Sequence, residues 1–453
     1  MCSTGPESSL SREDLRSPFT RFGGAELIGI EVEVAALDPE TGQSISYHGN
    51  SGIEALLYRL LDEFGSDAPS YENGNLVGFA LPRGGTVSLE HGGAVEYSAP
   101  PAQSVVDAVG ATRSTLRQLA ETARELNIAI VPGANYPFTR AEQVQWVPHS
   151  RIPIMWRHFA SVGDLGKHGV DVMSRALSVQ ATFDYTSEAD MIEKIRMQAM
   201  ASTPASALFV NSPLEDGGLT GGMSQRMKYW ARVDPNRSRI NPIMLSSDFT
   251  TDRFIDWALG LPMIYRSLPD GSKGAAPARP FRSLLETGFG DGSVPKARDW
   301  SAHLSQIYLD VRLRETLEVR AVDGPPFSAL QTVPAFWTGL TYHRPSRLAA
   351  IELLQGVKYE QHLEALDGIA GAGLGCELAG RPVQEYAFEL LGLADIGLRA
   401  LASEGREDHR VVSYLDPLHE IAASGRTFAQ ICAARWQGDF DGSAKRFVEA
   451  YRI

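Results

Sequence analysis

Four segments of the chain alternate apolar and polar residues closely enough to read as β-strands, and all four carry charge on the polar side. The first is Ile28-Gly-Ile-Glu-Val-Glu-Val34, with Glu31 and Glu33 two positions apart. Successive side chains on a strand point to opposite faces, so these two carboxylates share one. The second, "TVSLEHGGAVEYS", places Ser88 and Glu90 together, turns at Gly92-Gly93, and returns with Glu96 and Ser98. The third, "LSVQATFDY", sets Ser178, Gln180, Thr182 and Asp184 opposite Leu177, Val179, Ala181 and Phe183. In the fourth, "VRLRETLEVRAVD", Arg312, Arg314, Thr316, Glu318 and Arg320 alternate with Val311, Leu313, Glu315, Leu317 and Val319. One sheet holding all four would bury its apolar face under helices and gather five glutamates, Asp184, Gln180 and three arginines on the other.

Like charges side by side on a sheet repel. A solvated outer face would explain one such strand, but exposed strands favour Thr and Lys, and these segments carry few lysines. Carboxylates crowded into a small area shift their pKa or bind cations. Hard divalent ions take oxygen ligands and recruit phosphates to complete their shell. The pattern therefore points to Glu31 and Glu33 as metal ligands and to the arginines of the fourth strand as holders of phosphate or carboxylate.

The 453 residues, 43% hydrophobic and 21% charged, describe an ordinary globular protein. A net charge of −13 argues against non-specific nucleic-acid binding. Cys2, Cys376 and Cys432 form no CxxC pair, so neither a zinc motif nor a disulfide framework is indicated. No apolar run is long enough to span a bilayer, and the polar N-terminus lacks an apolar signal core. These features predict a cytoplasmic protein with no membrane partner. Residues 1–20 read as a flexible lead. A β-rich region with helical interruptions follows, and from about residue 340 the apolar spacing turns helical. Ser187-x-x-Asp190 marks a helix start. No Walker loop, no GxGxxG after a strand and no GxSxG is present, so P-loop, Rossmann and hydrolase-elbow sites are unsupported. His149 and His158 read as structural or substrate-lining rather than as zinc ligands.

"IGIEVEV", "SLEHGGAVEYSAP", "VQATFDYTSEADMIEKIRMQ", "ALFVNSP", "SQRMKYWARVDPNRS", "LEVRAVDG" and "VPAFWTGL" together resemble the plant and proteobacterial type of glutamate–cysteine ligase, in family order over nearly the whole chain. The resemblance implies an α+β fold: the curved antiparallel sheet of the glutamine synthetase-like carboxylate–amine ligases, helices on its convex face and a helical C-terminal region. It implies one catalytic domain over 21–453, acting as a monomer or homodimer. It also implies a reaction in which ATP, with Mg²⁺ or Mn²⁺, phosphorylates the γ-carboxylate of L-glutamate and an amine, L-cysteine first, displaces phosphate to give a γ-glutamyl amide. Carried over by position, Glu31, Glu33, Glu90, Glu96, Gln180 and Glu318 would hold metal, and Glu31, Glu318 and Arg320 would be catalytic. Arg314 and Arg320 would face the nucleotide. Arg226 and Trp230 would bind glutamate, while Arg151, Met155, Arg175 and Ser178 fall where the family builds its amino-acid pockets.

The departures concentrate in those pockets. Where the family reads P-K-x-R-Y-x-x-M, this chain has His149 for the lysine and Ile152 for the tyrosine. Its VQVN becomes Val179-Gln180-Ala181-Thr182, the basic residue after VRLR becomes Glu315, Thr316 replaces an aromatic, and SLEPGGQFE acquires His91. A site built around a polar group discriminates strongly for it, so the same mechanism with a different amine acceptor is the alternative reading. A non-catalytic binding protein is disfavoured by the retained carboxylates, which such a protein would hold at an electrostatic cost.

Overall fold

The computed structural model describes residues 10–22, 24–268 and 271–453. Its centre is a nine-stranded sheet in which every pairing is antiparallel. In chain order the strands are β1 (Ile28–Leu37), β2 (Ala68–Glu72), β3 (Asn75–Ala80), β4 (Thr86–Leu89), β5 (Val95–Ser98), β6 (Ala129–Pro132), β7 (Val179–Phe183), β8 (Val311–Leu313) and β9 (Leu317–Val319). Their spatial order is β8-β9-β7-β1-β5-β4-β3-β2, with β6 beside the far end of β1. The four alternating segments thus lie in one sheet. β1 is its axis: Glu31–Val34 pair with β5, Ile28–Val32 with β7 and Val34–Leu37 with β6.

The apolar sides of these strands are covered by helices. Ile28, Ile30, Val32, Val34, Val179, Ala181, Phe183 and Val319 join one core with the helices Val105–Glu125, Glu188–Phe209, Thr332–Tyr342 and Val383–Ser403. Ser187 caps Glu188–Phe209 by accepting the Asp190 N–H, which bears out the sequence signal. Burying a leucine or valine side chain contributes roughly 1.5–3 kcal/mol, so this layer carries most of the sheet's stability. From Thr332 onward the chain is helical apart from one two-residue hairpin, Glu377–Leu378 with Arg381–Pro382.

Two expectations are corrected. Within the proposed flexible lead, residues 1–9 lie outside the described residues, but Arg12–Arg16 form a helix with a complete capping box from Ser11 and Asp14. Leu15 and Phe19 are buried in a second core with Phe254 and Trp300, so apolar anchoring orders residues 10–20. The fourth segment is not one strand but the hairpin β8–β9, with Arg312 opposite Glu318. The Arg314 N–H bonds the Thr316 carbonyl across the turn, and Glu315 points outward to pair with Arg21. The alternation survived because a tight turn keeps the charged residues of both arms on the same side.

Candidate functional site

The polar face of the sheet is not a solvated surface. It floors a cavity of about 350 Å³, lined by Glu31, Glu33, Glu90, Glu96, Gln180, Arg312, Arg314 and Arg320 along the strands. Register explains the convergence. Glu33 lies across from Glu96, Glu31 from Gln180 and Glu318 from Thr182, so period-two side chains of five strands aim at one volume. Glu90 enters from the β4–β5 turn. That turn is pinned: Gly93 has φ +89°, and a Cβ on Gly92 would sit 2.0 Å from the Ser174 carbonyl oxygen.

Within the floor the carboxylates divide into two groups. Glu33, Glu90 and Glu96 can each place one oxygen within 4.8 Å of the others. Glu33 accepts hydrogen bonds from Ser178 Oγ at 3.1 Å and Gln180 Nε2 at 3.3 Å, and Glu96 accepts from Ser88 Oγ at 3.1 Å. Burial, then the neighbouring charge of Glu90, pushes Glu33 up to about 7 and Glu96 well above the usual carboxylate range. Burial opposes ionisation of Glu90 as well, but the hydrogen bond from His91 and the charge of Arg151 outweigh it and hold Glu90 at about 2. Glu318 forms the other group. Arg312 grips its Oε2 with Nε at 3.0 Å and Nη2 at 2.6 Å, and Arg320 Nη1 meets Oε1 at 2.7 Å. Against the burial penalty, these cations keep Glu318 ionised. Glu31 stands between the groups, raised to about 7 by burial and then by the Glu318 charge. An all-oxygen trio of this spacing fits a hard divalent ion and does not fit a thiolate- or imidazole-preferring one.

The opposite wall is apolar: Met155, Phe159, Val172, Met173, Val233 and Tyr265. Arg151 is the cation set into it, its Nε 2.7 Å from His91 Nε2. Trp230 closes one side, with the Arg320 guanidinium 5.9 Å above its ring. Arg226 is buried, and its Nη groups donate to the carbonyls of Ala321 and Arg320. Arg226 Nε and Trp230 Nε1 are buried without a hydrogen-bond partner among the described residues.

Of the residues expected at the site, all but Arg175 line this cavity or, like Glu318, hydrogen-bond residues that do. Arg175 is committed elsewhere. Its guanidinium pairs with Asp171, Glu215 and Asp216 and lies 5.0 Å over the Tyr229 ring. Asp184 also falls outside, accepting the Leu27 N–H at 3.0 Å. His158 is paired with Asp234 and His149 with Glu72, which explains both without zinc. Period two placed Arg312 on the polar face, with a role as one of the fourth strand's phosphate- or carboxylate-holding arginines, and it does line the cavity. The sequence reading did not assign Tyr265, Tyr308 or His91. The tyrosines come from irregular or very short segments that no periodicity marks.

The profile of Glutamate-cysteine ligase family 2 (GCS2) matches residues 27–450. The chain is 29% identical over 430 residues to the chloroplastic glutamate–cysteine ligase B of Oryza sativa subsp. japonica, covering 91% of this chain and 82% of that one. It is 30% identical over 366 residues to the chloroplastic enzyme of Arabidopsis thaliana, covering 80% and 68%. In structure it resembles the Francisella tularensis glutamate–cysteine ligase solved with AMP, with TM-score 0.54, 12% identity and 95% and 88% of the two chains covered. It also resembles a bifunctional glutathione synthetase from Pasteurella multocida, with TM-score 0.55, 12% identity and 94% and 52% covered. At that identity the likeness concerns the fold.

These relatives overturn the cytoplasmic expectation, since the plant ligases are chloroplastic by name. The expectation rested on the lack of an apolar signal core, which bears only on secretion; organellar transit segments are polar themselves. Among the described residues no helix is long and apolar enough to cross a membrane. With its fold, its carboxylate floor and 27–450 all in agreement, the chain belongs to glutamate–cysteine ligase family 2 and is a ligase.

Proposed function

We propose that residues 21–453 act as one catalytic unit that uses ATP to activate the γ-carboxylate of L-glutamate as an acyl phosphate and joins it to an amine, most simply L-cysteine. The observation that carries this reading is the division of one cavity into a floor of carboxylates and arginines and a facing apolar wall with a single set-in cation. Glu33, Glu90 and Glu96 would hold Mg²⁺ or Mn²⁺, with Glu31, Gln180 and Glu318 beside them. The ion would neutralise the triphosphate and the charge developing on the transferred group.

The chain's own residues do the rest. Arg312 and Arg320 clamp Glu318 from two sides, which fixes their guanidinium planes before any substrate arrives. Preorganised donors of this kind stabilise transition-state charge without reorganising. Arg314 and Arg320 then face phosphate oxygens. Arg226 Nε and Trp230 Nε1 are donors in want of an acceptor, and the α-carboxylate of glutamate supplies one. Arg151 takes the carboxylate of the acceptor, and the apolar wall excludes water that would hydrolyse an acyl phosphate.

A second reading, another amine as acceptor, is favoured by one specific feature. Ile152, in the place of the family's tyrosine, is buried in the apolar cluster behind Met155 and Phe159. A hydroxyl is thereby replaced by hydrocarbon at the acceptor wall. Phosphate release with Mg²⁺, ATP and glutamate, with and without cysteine, followed by mass analysis, separates the readings. Cysteine-dependent release with a γ-glutamylcysteine mass supports the first. Glutamate-dependent turnover that ignores cysteine supports the second, and absence of turnover removes both.

A further inference from the structure

His91 and His149 stand where the family pattern has other residues, come from different segments, and meet beside the carboxylate trio with ring centroids 5.7 Å apart. His149 is anchored, with Nδ1 2.6 Å from Glu72 Oε2 and Nε2 3.2 Å from the Leu89 carbonyl. Its ring meets that of His91 edge-on, with an interplanar angle of 63°. His91 in turn has Nδ1 3.1 Å from Glu90 Oε2 and Nε2 2.7 Å from Arg151 Nε. An arginine N–H can only donate. His91 Nε2 therefore accepts, its proton sits on Nδ1, and Nδ1–H donates to Glu90. A single imidazole thus joins a carboxylate of the floor to the cation of the apolar wall.

Each bond leaves its partner oriented for something else. With Oε2 held by His91, Glu90 has its second oxygen, Oε1, left to offer a cation. With Nε held, Arg151 keeps both Nη groups, for which no partner is found among the described residues, at the surface of the cavity. We propose that His91 is a positioning residue that fixes two sites at once: the Glu90 arm of the divalent-ion site and the Arg151 grip on the carboxylate of an α-amino-acid acceptor. This rests on the assignment of the trio and of Arg151 made above. It makes the acceptor's carboxylate a requirement, so cysteine is used and its decarboxylated analogue, cysteamine, is used poorly.

His91→Phe removes both hydrogen bonds and keeps a ring. His91→Gln keeps one donor and one acceptor. His91→Ala, which adds no bulk, takes the place of the Phe variant if that chain does not fold. The quantities to measure on the full chain are Mn²⁺ binding by electron paramagnetic resonance, half-saturating Mg²⁺, half-saturating L-cysteine and kcat, with cysteamine as the carboxylate-free probe. The expected result is a rise of about tenfold or more in half-saturating Mg²⁺ and cysteine alike, a smaller fall in kcat, a reduced preference for cysteine over cysteamine, and partial recovery in the Gln variant. A change in only one of the two half-saturating concentrations, a fall in kcat alone, or a Gln variant no better than Phe overturns the proposal. If the variants match a wild type that binds Mn²⁺ and uses cysteine, the proposal alone falls. If the wild type itself binds no Mn²⁺, or ignores cysteine, the assignment beneath it fails first and takes the proposal with it.

Discussion

Two charge clusters of this fold, one around the buried Arg175 and one on the cavity floor, are built on opposite principles. Around Arg175, the acids Asp171, Glu215 and Asp216 surround one guanidinium, His168 holds the far oxygen of Asp171 at 2.7 Å, and Tyr229 supplies a ring face. Each of these acids reaches the guanidinium directly. Around Glu33, Glu90 and Glu96 the arrangement differs: three carboxylates converge, none has an Arg or Lys ion pair among the described residues, and there Glu96 has only the Ser88 hydroxyl as a hydrogen-bond partner. The first arrangement makes sense as it stands. The second is stable only through protonation or a bound cation, and perturbed groups of that kind mark functional sites more often than structural ones. Both clusters contain residues expected at the site, so residue type alone does not separate them; direct pairing of the acids with an arginine does.

The comparison breaks most sharply under mutation. Glu33→Gln or Glu96→Gln should lower turnover by more than about a hundredfold, because the trio loses a ligand and its spacing admits no substitute. The same change should leave the circular dichroism spectrum intact. Arg175→Met should do the reverse. Leaving the part-buried Asp171 without its cation costs about 1–3 kcal/mol in denaturant unfolding, while the half-saturating concentrations of the folded enzyme stay within about threefold of wild type. An Arg175 variant that folds normally and loses substrate affinity would return that residue to the pocket. Arg226→Ala is expected to raise half-saturating glutamate by about tenfold or more while moving ATP much less. A larger effect on ATP would mean the two ends of the cavity are assigned the wrong way round.

How much of this was legible in the sequence follows from the length scale of each signal. Period two over "IGIEVEV" and "LSVQATFDY" is local, and it placed Glu31, Glu33 and Gln180 on one face correctly. The Ser187 cap is equally local. The β8–β9 turn was missed because Arg314-Glu315-Thr316 lacks Gly, Pro, Asn or Asp, the usual turn residues. β2 escaped notice because it is short and largely exposed, and β3 because Asn-Leu-Val-Gly-Phe-Ala does not alternate apolar with polar residues. Arg175 was misplaced for a different reason: its partners Glu215 and Asp216 lie some forty positions away in a glycine-rich hairpin, and no pattern within a segment reports a pairing across segments. His91 was visible as a departure, but its meaning needed Arg151, sixty residues on, at 2.7 Å.

The smallest expected effect is also the one that tests the unbalanced cluster without mutating it. Glu31 and Glu33 are raised from about 4.5 to about 7 by burial and by neighbouring carboxylates. A carboxyl whose folded-state pKa exceeds its unfolded value stabilises the fold below the unfolded value and loses that contribution as pH rises through the folded one. The metal-free protein should therefore melt a few degrees lower at about pH 8 than at about pH 5. Mg²⁺ should restore the difference at about pH 8 and do little at about pH 5, where protons already occupy the oxygens it needs. By the same competition, half-saturating Mg²⁺ should fall as pH rises across about 7. Glu33→Gln should flatten the melting profile, whereas Arg175→Met should lower it without changing its slope. A metal-free wild type that melts identically across this range, with Mg²⁺ or without, would mean that the trio is discharged by some other means and that the contrast between the two clusters is only one of geometry.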